Sequence, residues 1–214
     1  AQARDLRLPK RVLDRVPLRV AVLGQYPFKH QDFARKAFAH LTPARSLRGD
    51  RAQPFLIAMS PTIGAPGRIS LGGTGRRDAF ALWVDTTTEL ADLRWLLAHE
   101  YFHTWNPAAL GQLPEDENEP AGYWFSEGFT DYYAWKLMLV SGQFAPAEFA
   151  ERWNESLRAY AASSVRAAPN SLIVSDFWKS QEVRSLPYQR GAILAAVLDR
   201  QAVAHGSSLD AVMR

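Results

Sequence analysis

Two histidines four residues apart, His99 and His103, enclose Glu100 in the stretch AHEYFHTWN. At 3.6 residues per turn both imidazoles lie on one helix face, where they can reach a single cation with Glu100 beside it. The alternative is a helix that carries two polar surface residues. A hydrolytic zinc site needs a third protein ligand and an open position for water. One solution is a third histidine six residues after the second, and Ala109 there excludes it. Another is a glutamate from a following helix. Glu115, Glu117 and Glu119 sit in PEDENEP, which reads as a solvated charge cluster, with a calcium-type site as the minor alternative. Glu127 follows the bulky pair Trp124 and Phe125 and precedes Gly128. It is either a first-turn carboxylate favoured by the helix dipole or the third ligand, and joined to the histidine pair the ligand reading wins. Asp131, one turn further on, can accept a hydrogen bond from the far nitrogen of a ligand histidine.

These residues need elements to hold them. In the first half, PLRVAVLG (17–24), PFLIAMSP (54–61) and DAFALWVD (78–85) read as strands, and HQDFARKAFAHL (30–41) as a helix. The glycine-rich TIGAPGRISLGGTGRRD reads as loop with one short strand. The second half reads as helices over 86–106, 123–142, 145–163 and 187–206. The first of these is expected to be capped by threonines, and the last to start at Pro187. SSLDAVMR begins like a capped helix and stops after one turn, as a fragment of a longer protein would.

Composition narrows the class. With 214 residues, 47% hydrophobic and 22% charged, the chain suits one domain with a substantial core. No apolar run approaches the ~18 residues of a membrane span. The net charge of +3 is spread along the chain without a basic stripe, against a nucleic-acid partner. The absence of cysteine excludes disulfides and thiolate chemistry and leaves His, Asp and Glu to hold any metal. The opening AQA has the small-residue form of a signal-cleavage site with no apolar stretch before it, so the compartment stays open.

HEYFHTWN followed by YWFSEGFTDYY resembles the glycyl aminopeptidase family, zinc metallopeptidases of the gluzincin group with a thermolysin-like catalytic domain. PYQRG, from Tyr188 to Gly191, matches the family's Tyr-x-Lys/Arg-Gly signature. The resemblance implies an α+β fold with a β-rich lobe (about 1–87), a helical lobe (about 88–214) and the zinc site in the cleft between them. It implies His99, His103 and Glu127 as Zn²⁺ ligands, Glu100 as general base and Asp131 as partner of His99. Tyr188 becomes the phenol that meets the oxyanion; without the resemblance it reads as an aromatic on the first turn of a buried helix. The partner implied is a peptide or protein substrate, and relatives often add β and PDZ domains.

Such aminopeptidases carry a glutamate for the substrate's amine in a Gly-rich strand. The matching position in GGTGRRDAF is Gly75, followed by Arg76 and Arg77, so the amine anchor is absent. DAFALWVD resembles the edge strand that holds an extended peptide by main-chain pairing, with Gly72, Gly73, Ala79 and Phe80 against the substrate. Two rivals remain at this stage: a zinc hydrolase acting on a non-peptide substrate, and a non-catalytic binding module that keeps the fold.

Overall fold

The computed structural model describes residues 10–13, 16–48, 54–64, 71–76, 78–107, 110–111, 113 and 116–214. The chain divides into two compact units, residues 1–109 and 110–214.

The first unit is built on a five-stranded sheet of β1 (Lys10–Leu13), β2 (Val16–Val22), β3 (Phe55–Thr62), β4 (Leu71–Arg76) and β5 (Ala79–Asp85). Its order is β1-β2-β3-β5-β4. The pairs β2–β3 and β3–β5 are parallel, while β1–β2 and β4–β5 are antiparallel. A parallel β2–β3 pair requires a crossover, and α1 (His30–Arg48) supplies it. Period-2 alternation puts Leu18, Val20, Val22, Phe55, Ile57, Met59, Phe80, Leu82 and Val84 inside. Leu56 and Trp83, on the opposite face, are exposed. The Phe55 ring packs on Phe80 and on Tyr101 of α2 (Leu93–His103), so the core face of the sheet fixes the helix that carries the histidines. α2 also packs against β4.

Two expectations change here. DAFALWVD is a strand, but β5 pairs with β3 on one side and β4 on the other, so it is no edge. Its Phe80 is buried in the core and Ala79 is flanked by Leu56 and Arg76, so neither can pair with a peptide. The strand at that end of the sheet is β4. The helix expected over 86–106 also starts later. Its threonines form a turn closed by Asp85, whose Oδ1 accepts from the Thr87 amide at 2.9 Å and from its hydroxyl at 2.7 Å. A 3₁₀ turn (Leu90–Asp92) then leads into α2.

One buried group makes this unit sensitive to acid. His40 on α1 is fully buried, and among the described residues neither ring nitrogen has a hydrogen-bond partner. Burial first, then the charges of Lys36 and Arg94, hold its pKa down to about 4. A folded-state pKa below the unfolded value means stability is present above pH 6.5 and lost as the pH falls towards 4. The expected loss is on the order of 2–3 kcal/mol across that window. Urea denaturation at pH 7, 5 and 4 should show it in the parent, and His40→Leu should lack this component.

The second unit is helical: α3 (Tyr123–Ser126), α4 (Gly128–Val140), α5 (Pro146–Ala162), α6 (Asn170–Asp176), α7 (Gln181–Ala204) and α8 (Leu209–Val212). Tyr123, Ile173, Phe177, Val183 and Leu186 form a core cluster that ties α3, α6 and α7. The α3–α4 segment meets α7 almost backbone to backbone. A Cβ on Gly191 would stand 1.8 Å from the Trp124 carbonyl oxygen, and one on Gly128 2.4 Å from Gly191 Cα. Only glycine allows that approach. At the far end, Lys136 bridges Asp199 and Asp210 at 3.2 and 2.7 Å, and Asp199 also accepts from the Tyr132 hydroxyl and the Leu209 amide.

The single helix expected over 123–142 is interrupted at Glu127, which lies between α3 and α4. Gly142 does end the run, with φ at +70°. The last long helix begins six residues before Pro187, at Gln181, where the Ser180 hydroxyl accepts from the Val183 amide. Tyr188 therefore sits well inside α7 rather than on its first turn. α6 has no counterpart in the sequence reading.

Candidate metal centre

Within the first unit, α2 carries His99, Glu100 and His103 as the periodicity requires. His99 and Glu100 are buried, and His103 is half-buried. The Nε2 atoms of the two histidines face each other at 3.0 Å. His103 Nδ1 lies 3.0 Å from the main-chain oxygen of Asn106. A carbonyl oxygen can only accept, so Nδ1 carries the hydrogen and Nε2 presents its lone pair. Two histidine nitrogens on one tetrahedral zinc stand about 3.3 Å apart at ordinary bond lengths, so a few tenths of an ångström of opening suffices. The Trp95 ring packs against His99, centroid to centroid at 4.7 Å.

β4 crosses α2 through glycines. A Cβ on Gly73 would meet Glu100, and one on Gly75 would stand 2.5 Å from His103 Cβ. No side chain fits at Gly75, so a glutamate cannot stand there to receive an amine. Arg76 is exposed, with a guanidinium nitrogen donating to the Gly75 carbonyl at 3.2 Å; Arg77 lies outside the described residues.

Within the second unit, Glu127, Asp131 and Tyr188 are neighbours. The Asp131 amide donates to the Glu127 carbonyl at 2.9 Å. Burial first, then the charges of Glu127 and Asp131, push the Tyr188 phenol well above the ordinary tyrosine range, and a hydrogen bond with Glu127 adds to this. A phenol pushed up in this way keeps its proton at neutral pH and can act as an O–H donor.

Among the described residues, His99 and His103 of the first unit and Glu127 of the second are a set of side chains that could hold a metal ion. Two nitrogens and one carboxylate oxygen are the donor set of a hydrolytic zinc site. Among the described residues the acidic loop adds no member to this group: Glu117 is exposed and Glu119 lies in a 3₁₀ turn, while Glu115 and Ala109 fall outside the described residues.

The fold is shared with solved metallopeptidase-class structures. An aminopeptidase N family protein from Idiomarina loihiensis superposes with a TM-score of 0.74 at 18% identity, over 98% of this chain and 40% of that one. A point mutant of an M1 zinc metallopeptidase from Deinococcus radiodurans superposes with a TM-score of 0.50 at 19% identity, over 92% of this chain. The chain spans 40% of the length of each of these structures. No curated protein matches it. Residues 92–185 match the model of the M61 glycyl aminopeptidases, a segment that includes His99, Glu100, His103, Glu127 and Asp131. Over this segment, less than half of the chain, the sequence is similar to that peptidase family, as its motifs indicated.

Proposed function

We propose that the chain is the catalytic part of a zinc-dependent peptidase, with His99, His103 and Glu127 as ligands, in the manner of a thermolysin-like domain. The observation that carries this reading is the pair of Nε2 atoms converging at 3.0 Å, with His103 held in the ligating tautomer by Asn106. Bound Zn²⁺ would supply a water acidified to a pKa of ~7 and an electrophile for the substrate carbonyl. Glu100, one residue from His99 and buried, accepts the proton of the attacking water on its carboxylate and passes it to the leaving amine. Tyr188 donates its hydroxyl proton in a hydrogen bond to the carbonyl oxygen as charge builds there. Asp131 accepts from the far nitrogen of His99 and fixes its tautomer.

The substrate is a peptide, held along β4 at Gly72 and Gly73. Tyr188→Phe tests the oxyanion role: kcat should fall on the order of 10²-fold with KM nearly unchanged. Equal kcat in the two proteins would remove that assignment. A peptide library offered with free and with acetylated N-termini tests the reading as a whole. Cleavage of either set supports a peptidase, and the preferred set defines exo- or endopeptidase action. Cleavage of neither, with zinc bound, leaves a non-peptide hydrolase or a binding module.

A further inference from the structure

β4 contains three glycines in six residues, and one of them lies directly against the catalytic carboxyl of the reading above. A Cβ on Gly73 would stand 2.2 Å from Glu100 Cδ, 2.4 Å from Cγ and 2.5 Å from Oε1. The whole outer half of the glutamate therefore occupies the space that any side chain at 73 would need. Gly73 has no positive φ, so its backbone is one that any residue adopts. The glycine is thus required by contact and not by conformation. Nor can the strand easily retreat: Gly73 is in register with Leu82 of β5, which is at 1% exposure in the core. Beyond it, Gly75 makes the same kind of approach to His103.

We infer that Gly73 is a positioning residue for Glu100: the bare main chain of β4 forms one wall of the slot that fixes the carboxyl in place. A methyl group at 73 drives the carboxyl about 1 Å from its position, since ordinary carbon contacts need ~3.5–4.0 Å. A displacement of that size costs on the order of 100-fold in rate. The inference rests on Glu100 being the general base.

The test combines kinetics with a stability cycle. Gly73→Ala should keep about one zinc per chain, hold KM within about threefold and lower kcat on the order of 100-fold. Its urea midpoint should fall in the parent but scarcely move in a Glu100→Ala background, where the colliding atoms are gone. A variant that folds only in the Glu100→Ala background supports the contact equally. The inference is overturned by unchanged kcat, by equal midpoint shifts in both backgrounds, or by failure to fold in both. Glu100→Gln separates the two levels. Retained turnover in that variant overturns the general-base reading itself. Lost turnover there, beside unchanged kcat in Gly73→Ala, overturns only the role of Gly73.

Discussion

Glu100→Gln should yield a folded protein that binds zinc like the parent and hydrolyses peptides at least about 10³-fold more slowly. The amide keeps the volume of the carboxylate in the slot between α2 and β4, so neither packing nor the histidine pair is disturbed. What disappears is the property that the proposed reaction takes from it, the ability to accept a proton and release it. Metal content by atomic spectroscopy and turnover on the best library peptide measure the two halves of this statement. A variant that turns over at the parent's rate would remove Glu100 from the mechanism while leaving the metal site intact.

The second large effect is of the opposite kind. His103→Ala should lose zinc and, with it, turnover by on the order of 10⁴-fold or more, because acidification of water near pH 7 depends on the metal. His103 is the better choice than His99 for this experiment. His99 is buried and in ring contact with Trp95, so its removal also opens a cavity, whereas His103 is half-buried. Equilibrium dialysis against zinc, alongside circular dichroism to confirm the fold, gives the result directly. Metal loss in His103→Ala beside metal retention in Glu100→Gln would divide HEYFH into ligand and base.

The parts of this molecule legible in its sequence are those fixed by local periodicity. His99 and His103 fall on one face because 3.6 residues make a turn, and the buried alternation of Phe55, Ile57 and Met59 is visible in PFLIAMSP. Gly142 ends its helix where a glycine stop was expected. What sequence could not show depends on distant partners. The apolar pattern from Tyr123 to Val140 runs on without a break, so nothing local marks the interruption that sets Glu127 between α3 and α4. Pro187 looks like a helix start, yet the real cap is Ser180, a weaker local signal. Strand order is also non-local. DAFALWVD resembles a peptide-holding edge strand, and only its pairing with both β3 and β4 makes it an internal one. The same glycines hid their purpose, since Gly73 and Gly75 matter through what α2 places against them.

The central claim is that His99, His103 and Glu127 together hold one zinc ion. Its most direct test is the metal content of the purified chain after dialysis against zinc-supplemented and then metal-free buffer. The expected result is about one zinc per chain in the parent and none in Glu127→Ala. A folded parent that retains no zinc with all three residues in place would contradict the account.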